Sequence, residues 1–211
     1  MDKKIKIVGC GPGSPDYVTP AASKAVASAN VIIGAQKLLD LFPDSKAVRE
    51  PLNRNLSLAI DSIATYMDKN VVAVLVSGDP GVFSLAKLVI KRYGENSCEV
   101  IPGVSSVQVA FARLGLDWHD TLLVSAHKEV PDVDLTKLYE QFGKLAIFAA
   151  AKPAVTWIVS SFRDAPLPPQ AVVCQNLTLA DEKIDLLSLK ELESFEIGSS
   201  SIIILLDGEK F

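Results

Sequence analysis

The chain has few of the residues that form covalent or metal-based cross-links. Its 211 residues include three cysteines, Cys10, Cys98 and Cys174, which are far apart and form no Cys-x-x-Cys pair. An odd number of widely spaced cysteines predicts neither a disulfide framework nor a zinc site and is typical of a reducing compartment. The two histidines, His119 and His127, do not have a spacing common among metal ligands. We therefore expect no bound metal.

Long apolar segments and clusters of positive charge are also missing. The run 145–151 has only seven apolar residues, whereas a membrane-spanning helix needs about 20. The N-terminus reaches a Gly/Pro loop after Val8, too soon for the apolar region of a signal peptide. With 21 basic and 25 acidic residues, the formal net charge is −4, and no basic run exceeds a pair such as Lys3-Lys4. We expect a soluble cytoplasmic protein without a nucleic-acid or membrane partner.

The stretch around residue 78 has the clearest local pattern. Val71–Val76 is a short, β-branched apolar run, which predicts a strand buried on both faces of a parallel sheet. Ser77–Gly81 then breaks the pattern with two glycines and a proline, and apolar residues at helical spacing follow in 82–90. Ligands of open α/β sheets bind at this end of the strands. Taken alone, the stretch fits an empty tight turn equally well.

The same order of strand, loop and helix recurs at Ile5–Val8 and at Cys98–Ile101. Alternating elements of this kind favour an α/β fold with a mostly parallel sheet. The simplest interpretation is two α/β domains, an N-terminal domain with glycine loops at 1–115 and a C-terminal domain at 120–211. Gly115–Asp120 is the candidate hinge between them.

Three glycine-bearing loops, at 9–16, 77–81 and 102–106, match none of the common phosphate or nucleophile motifs. In the first loop the glycines alternate with other residues and prolines separate them from the helix, unlike the dinucleotide fingerprint. No Gly-Lys-Ser/Thr and no Gly-x-Ser-x-Gly occurs. Because the carboxyl ends of parallel strands share an edge, we expect the three loops to meet there and to present bare backbone to a ligand. The alternatives are a rigid connector for the first loop and simple helix capping for the third.

Together these loops resemble the tetrapyrrole methylase family over essentially the whole chain. The matching segments read Val8-Gly-Cys-Gly-Pro-Gly-Ser-Pro-Asp16, Ser77-Gly-Asp-Pro-Gly81 and Ile101-Pro-Gly-Val-Ser-Ser106. The resemblance implies an S-adenosylmethionine-dependent methyltransferase with two α/β domains and an active-site cleft between them. It also implies a homodimer.

Three further segments resemble the branch that methylates carbon-5 of cobalt-precorrin-7, a precorrin-6Y-type substrate, in cobalamin biosynthesis. They read Ser125-Ala-His-Lys128, Val173-Cys-Gln-Asn-Leu177 and Asp181-Glu-Lys-Ile184. Gln175 departs from the acidic residue usual in this branch, and the loop 149–153 is less polar than expected. Since the chain ends at Phe211, we expect the decarboxylating C15-methyltransferase of fused relatives to be a separate partner in the same pathway.

The resemblance also implies site residues. Those expected to bind S-adenosylmethionine are Gly78, Asp79, Pro80, Val82, Ser105, Ser106, Val107, Phe148, Asn176 and Leu177. Those expected to face the tetrapyrrole are Gly9, Gly11, Pro12, Gly13, His127 and Arg113, with Lys128 and Lys152 as further partners for its carboxylates. We expect Asp79 to shape its loop and to favour the cationic donor. No catalytic base is identified, because an activated sulfonium donor mainly needs alignment and exclusion of water.

Two other functions remain open at this point. The first is that of another member of the family, which acts on a different corrin carbon, on a diphthamide precursor or on ribosomal RNA. The second is that of a non-catalytic module that binds S-adenosylmethionine or a tetrapyrrole. The modest negative charge argues against RNA.

Overall fold

Two five-stranded sheets carry the fold, one in each half of the chain. The computed structural model describes residues 5–52, 56–127, 129–149 and 151–208. The chain divides into two units, Met1–Ser106 and Val107–Phe211. This boundary falls at the start of the helix that precedes the predicted hinge, Gly115–Asp120. No helix among the described residues has the length and apolar character to cross a membrane.

The first unit alternates strands and helices as the sequence predicts. Its elements are β1 (Ile5–Gly9), α1 (Pro20–Ala27), β2 (Val31–Gly34), α2 (Gln36–Leu39), β3 (Val48–Pro51), α3 (Leu56–Met67), β4 (Val72–Val76), α4 (Ala86–Tyr93) and β5 (Cys98–Ile101). The strands lie in the order β3-β2-β4-β1-β5, and every neighbouring pair is parallel. A fully parallel sheet of this kind must be covered on both faces.

The strand β4 shows why this sheet is buried on both faces. All five of its residues are buried, and alternate ones face opposite sides. Val72, Val74 and Val76 belong to one apolar cluster, which includes residues of α3 and α4. Ala73 and Leu75 belong to a second cluster, which includes residues of α1 and α2. The continuous valine-rich run in the sequence is the signature of this arrangement.

The second unit has a mixed sheet. Its elements are α5 (Ser106–Leu114), which begins at the last residue of the first unit, then β6 (Thr121–Ala126), α6 (Leu135–Phe142), β7 (Lys144–Ala149), α7 (Lys152–Ser161), β8 (Gln170–Gln175), β9 (Lys183–Leu187), α8 (Leu189–Ser194) and β10 (Ser201–Leu206). The strands lie in the order β6-β7-β10-β8-β9. Only β6 and β7 are parallel, whereas the other neighbouring pairs are antiparallel.

Three details differ from the sequence-based expectation. The strands β3 and β9 were not predicted, because both are short edge strands with polar residues between the apolar ones. The helix expected from Val82 begins four residues later, at Ala86, after a turn. The apolar spacing continues through that turn, so periodicity alone places the start of the helix too early.

Candidate active site

The three glycine loops leave the same edge of the first sheet. The strands β4, β1 and β5 are adjacent and parallel, so the segments that follow them emerge side by side. This confirms the expectation that the loops share one edge. The first loop runs from Cys10 to Ser14, the second from Ser77 to Leu85 and the third from Pro102 to Ser105.

Backbone hydrogen bonds join the first loop to the second. Gly11 and Gly78 form an isolated antiparallel bridge, in which the Gly78 N–H donates to the Gly11 carbonyl at 2.8 Å and the reverse bond is 3.3 Å. The Cys10 N–H also donates to the Val76 carbonyl, at 2.9 Å. Gly11 has φ +76° and Gly78 has φ +65°, conformations that residues with a side chain rarely adopt. Glycine is therefore required at both positions by the backbone itself.

The third loop touches the backbone of the second loop and of Gly9, the residue before the first loop. A Cβ added to Gly103 would lie 2.4 Å from the Gly78 carbonyl oxygen and 2.7 Å from the Gly9 carbonyl carbon. A Cβ added to Gly9 would lie 2.6 Å from the Gly103 nitrogen and 2.7 Å from Cδ of Pro80. The bare backbone at these glycines is thus taken up by the neighbouring loops. The role toward the substrate expected for Gly9 stays a prediction.

The Asp79 carboxylate ties the second loop to the third. Its Oδ1 accepts a hydrogen bond from the Gly81 N–H at 2.7 Å, and its Oδ2 accepts one from the Gly103 N–H at 3.0 Å. An ionised carboxylate is a strong acceptor for backbone N–H groups. The expected loop-shaping role of Asp79 agrees with these contacts. Its effect on a cationic donor stays a prediction.

The second loop ends in a turn with an exposed aromatic residue. The Val82 N–H donates to the Asp79 carbonyl at 3.1 Å, and the Ser84 hydroxyl donates to the Pro80 carbonyl at 2.5 Å. Phe83 has φ +45° and is 55% exposed. A positive φ is unusual for an aromatic residue. Sequence reasoning did not single out Phe83, since nothing in its neighbours signals this conformation.

The third loop leads into α5, where three further donor-site residues were predicted. Ser105 is only 5% exposed and Val107 only 1%, whereas Ser106, the first residue of the helix, is half-buried. Of the three, Ser106 therefore presents the most surface.

The residues expected to face the tetrapyrrole also differ in exposure. Gly9 and Gly11 are buried, whereas Pro12 and Gly13 of the first loop are partly exposed.

Cys10 lies inside the first loop but is not suited to nucleophilic chemistry. It is fully buried, and its thiol donates to the Val8 carbonyl at 3.4 Å. Burial raises the pKa of the Cys10 thiol to about 12 because the thiolate would lose its hydration. The thiol therefore stays protonated at neutral pH. Among the described residues, no group of histidines, cysteines and carboxylates is arranged to hold a metal ion.

Predicted site residues of the second unit lie at one edge of its sheet. Because β10 is antiparallel to both β7 and β8, and β6 is parallel to β7, the strands β6, β7 and β8 point the same way. His127 follows β6, Phe148 lies near the end of β7 and Asn176 follows β8. Phe148 is half-buried and lies opposite Ser125, and His127 is exposed. The donor-binding roles expected for Phe148, Asn176 and Leu177 stay predictions.

The loop after β8 is held by its own acidic residues. Asn176 and Thr178 both have positive φ, 51° and 72°. The Asn176 amide donates to Asp181 at 2.7 Å, and the Thr178 N–H donates to Glu182 at 2.6 Å. Leu177 between them is 5% exposed. The Asp181–Glu182 pair matched the family branch in sequence, but only the structure shows that its carboxylates organise this loop.

Arg113, which was expected to meet a substrate carboxylate, is paired within the protein. Its Nε donates to Glu182 Oε1 at 2.7 Å, and its Nη2 lies 3.4 Å from Oε2. This Arg113 pair is the main cause that lowers the pKa of Glu182 below its usual value, and the Thr178 N–H adds to the effect. Lys152 also has an internal partner, the backbone carbonyl of Glu193. Lys128 lies outside the described residues.

Gln175, which departs from the family branch, has a structural contact. Its Oε1 accepts hydrogen bonds from the Gly198 N–H at 2.8 Å and from the Ser201 hydroxyl at 3.3 Å. A carboxylate would accept the same two bonds. The substitution of an amide therefore keeps the connection between the end of β8 and the start of β10.

The family of the chain follows from comparison with known proteins. Residues 4–193 match the model of the tetrapyrrole (corrin/porphyrin) methylases. The chain therefore belongs to the tetrapyrrole methylase family, and it is an S-adenosylmethionine-dependent methyltransferase.

Two curated relatives match nearly the whole chain. One, from Methanocaldococcus jannaschii, is named as a probable cobalt-precorrin-7 C(5)-methyltransferase and is 29% identical over 208 residues, covering 95% of this chain and 96% of the relative. The other, from Methanothermobacter thermautotrophicus, is named as a probable cobalt-factor III C(17)-methyltransferase. It is 28% identical to this chain. The match covers 95% of this chain but only 62% of the length of that relative.

Solved structures show the same fold. A precorrin-6Y methylase of cobalamin biosynthesis from Archaeoglobus fulgidus has a TM-score of 0.72 at 27% identity, covering 96% of this chain and 97% of that one. A uroporphyrin-III C-methyltransferase from Thermus thermophilus, solved with S-adenosylhomocysteine, has a TM-score of 0.75 at 21% identity, covering 96% and 92%. The predicted α/β fold of this family is confirmed.

The contact between the loops predicts a strong effect for Gly103→Ala. The new Cβ would overlap the Gly78 carbonyl oxygen, and we expect a loss of about 1–3 kcal/mol in the free energy of unfolding from this overpacking. We also expect donor affinity to fall at least tenfold, measured by calorimetry. Gly94→Ala is the control. An added Cβ at Gly94 meets no atom within 4 Å, so alanine there is strained only by the positive φ of +82°. The donor affinity of Gly94→Ala should equal that of the wild type. Equal losses of donor affinity in the two variants would contradict the prediction.

The Arg113–Glu182 pair predicts a pH dependence of stability. The pKa of Glu182 is lowered in the folded chain, so its contribution is fully present above the unfolded pKa and is lost as the pH falls through the folded value. We expect Glu182→Gln to lose about 1 kcal/mol at pH 7 and to lose less further stability than the wild type between about pH 5 and pH 3. Urea unfolding across this range measures both effects.

The matched control for this experiment is Asp61→Asn. Asp61 pairs with Arg92, but both side chains are more than half exposed, and we expect no measurable change. The prediction would be contradicted if the free energy of unfolding fell by the same amount between about pH 5 and pH 3 in Glu182→Gln and in the wild type.

Proposed function

We propose that this enzyme methylates carbon-5 of cobalt-precorrin-7 in cobalamin biosynthesis. The observation that carries the proposal is the nearly end-to-end match to a relative with that name, together with the three joined glycine loops. The solved precorrin-6Y methylase, which also matches end to end, supports the same pathway.

A second candidate is methylation of another carbon of the same macrocycle. The relative named for carbon-17 has nearly the same identity, 28% against 29%. Only 62% of its length is covered, however, against 96% for the carbon-5 relative. The difference in coverage favours carbon-5.

The chemistry requires little from the protein beyond alignment. In our proposal, a nucleophilic carbon of the macrocycle attacks the methyl group of S-adenosylmethionine. The sulfur–methyl bond breaks as the new carbon–carbon bond forms, S-adenosylhomocysteine leaves as a neutral thioether, and the macrocycle later loses a proton. Because the donor is already activated, placing the two reactants in line and excluding water accounts for most of the acceleration. A buried cysteine with a raised pKa, such as Cys10, is not needed as a nucleophile.

We further propose that the second and third loops hold the donor. Gly78, Pro80 and Val82 would contact it through backbone and short apolar groups, and Ser106 would offer the first free N–H and hydroxyl of α5. Asp79 would support this site by fixing the two loops to each other, since its carboxylate accepts hydrogen bonds from the Gly81 and Gly103 N–H groups. Its negative charge also favours a sulfonium cation over the neutral thioether product.

For the tetrapyrrole we propose the partly exposed part of the first loop. Pro12 and Gly13 are accessible, whereas Gly9 and Gly11 are buried, so the macrocycle would meet the loop at its tip. His127 is exposed at the edge of the second sheet and is a hydrogen-bond donor for a carboxylate. Arg113 would reach a substrate carboxylate only by leaving Glu182.

Incubation with methyl-labelled S-adenosylmethionine and cobalt-precorrin-7 tests the reaction. We expect one labelled methyl group per macrocycle, placed at carbon-5 by NMR. Label at another carbon would refute the position while keeping the family. Donor binding without transfer to any corrin precursor would instead support a binding module.

A substitution of Asp79 tests the donor site. We expect Asp79→Ala to weaken S-adenosylmethionine binding about 10- to 100-fold, because hydrogen bonds to a charged group are worth about 1.5–3 kcal/mol. We expect Asp79→Asn to have a smaller effect, since its one carbonyl oxygen retains an acceptor. Calorimetry measures the dissociation constant, and thermal unfolding measures how far the fold is disturbed.

Asp16→Asn is the control for the two Asp79 variants, because Asp16 is exposed in the turn after the first loop. It removes the same charge from an exposed position outside the second and third loops and should leave the dissociation constant unchanged. An unchanged dissociation constant in Asp79→Ala would remove Asp79 from the donor site.

A further inference from the structure

Arg113 links the last turn of α5 to the loop after β8, residues 176–182. Its Nε donates to Glu182 Oε1 at 2.7 Å, and its Nη2 donates to Oε2 at 3.4 Å. Two bonds from one guanidinium to one carboxylate form a fork, which fixes the direction of the pair as well as its distance. The fork joins α5 to a residue 69 positions later in the chain.

The same carboxylate holds a strained residue of the loop. Glu182 Oε2 accepts the Thr178 N–H at 2.6 Å. Thr178 has φ +72°, and a positive φ is an outlier for a β-branched residue. Strain of this kind persists only where the surroundings impose it, and it is concentrated at functional sites. Glu182 supplies such a constraint here, and the fork from Arg113 fixes Glu182.

The start of the loop has separate support. Asn176 has φ +51°, which asparagine adopts more readily than threonine. Its side-chain amide donates to Asp181 at 2.7 Å, and its backbone N–H donates to the Ser200 carbonyl at 3.2 Å. Neither contact involves Arg113. The hold of Arg113 is therefore on the middle of the loop, at Leu177 and Thr178.

The other end of α5 is a proposed donor contact. The helix begins at Ser106, about 10 Å along the helix axis before Arg113. Three of its residues, Val107, Ala110 and Phe111, are at most 1% exposed, so packing in the core fixes the helix in place. Arg113 thus anchors the loop to a rigid element that itself begins at the proposed donor site.

We propose that Arg113 is a positioning residue for the methyl donor and not a ligand of a substrate carboxylate. Through Glu182 it keeps Thr178, and with it Leu177, in the conformation that binds S-adenosylmethionine. The inference rests on the proposed function, because it takes Leu177 as a donor contact. A substrate carboxylate that captured Arg113 would take the Nε bond from Glu182 and release the hold on Thr178. The two roles are therefore alternatives.

Calorimetry with S-adenosylmethionine alone tests the proposal on the full-length protein. Arg113→Met removes the charge and keeps most of the aliphatic stem, and it should raise the donor dissociation constant about tenfold. Arg113→Lys should lose less, because an ammonium group keeps the charge but not the fork. Arg92→Met is the matched control, since Arg92 also pairs with a carboxylate, that of Asp61, but on an exposed surface. Its dissociation constant should equal that of the wild type.

A double-mutant cycle tests whether Arg113 acts through Glu182. Glu182→Gln removes the charge but leaves an amide oxygen that can accept the Thr178 N–H. The double variant should bind the donor no more weakly than Arg113→Met alone, because both changes break the same link. Losses that multiply would show that the two residues act independently and would overturn the proposal. Circular dichroism checks folding, and Glu182→Gln carries the calorimetric test if Arg113→Met does not fold.

Steady-state kinetics with cobalt-precorrin-7 separates the two roles of Arg113. For a positioning residue, Arg113→Met raises the KM for the donor and leaves both kcat at saturating donor and the KM for the tetrapyrrole within about twofold. The opposite pattern is a raised KM for the tetrapyrrole with an unchanged donor dissociation constant. That pattern would assign Arg113 to a substrate carboxylate and refute the proposal.

Hydrogen exchange followed by NMR locates the effect in the loop. The Thr178 amide should exchange at least tenfold faster in Arg113→Met than in the wild type, whereas the Asn176 amide should be unchanged, since it donates to the Ser200 carbonyl. Equal protection of the Thr178 amide in the two proteins contradicts the proposal, as does an unchanged donor dissociation constant in folded Arg113→Met. Calorimetry and exchange use no tetrapyrrole. They therefore decide the inference even if the wild type does not methylate cobalt-precorrin-7.

Discussion

The backbone contact between the three glycine loops is the constraint on which the first unit depends. Gly103 fits against Gly9 and the Gly78 carbonyl with no room for a Cβ, and the Asp79 carboxylate holds the Gly103 N–H. Parallel pairing of β4, β1 and β5 brings the loops to one edge, and glycine lets them meet there. Loops with this support are pre-organised, which would suit the proposed reaction because it mainly needs alignment.

The edge of the second sheet is organised in a different way, by side chains. Glu182 accepts from the Arg113 guanidinium and from the Thr178 N–H, and Asn176 donates to Asp181. These contacts fix two residues with positive φ in a loop that has no glycine. The same contacts engage the arginine that the family resemblance assigned to the substrate. In the proposed substrate site, the carboxylates of a tetrapyrrole would have to compete with Glu182 for Arg113.

Most of the fold was predictable because its signals are local. The valine-rich run of β4 predicted a strand buried on both faces. Thr19-Pro20 is another local signal, because the Thr19 hydroxyl accepts the Ala22 N–H at the start of α1. The edge strands β3 and β9 were not predicted, since a strand without a continuous apolar pattern is recognised only by its partner. The position of the turn before Ala86 depended on hydrogen bonds from Ser84 and Val82 that periodicity does not reveal.

The sequence by itself determined the alternation of elements, the glycine loops and their family resemblance, because each rests on neighbouring residues. Only the tertiary structure decided what those residues contact. It showed that Gly9 and Gly103 are glycines because their backbones touch, and that Arg113 is paired with Glu182 across 69 positions of sequence. It also showed that β9 is left at an edge. Such contacts join residues far apart in the chain, and no local pattern encodes the distance between them.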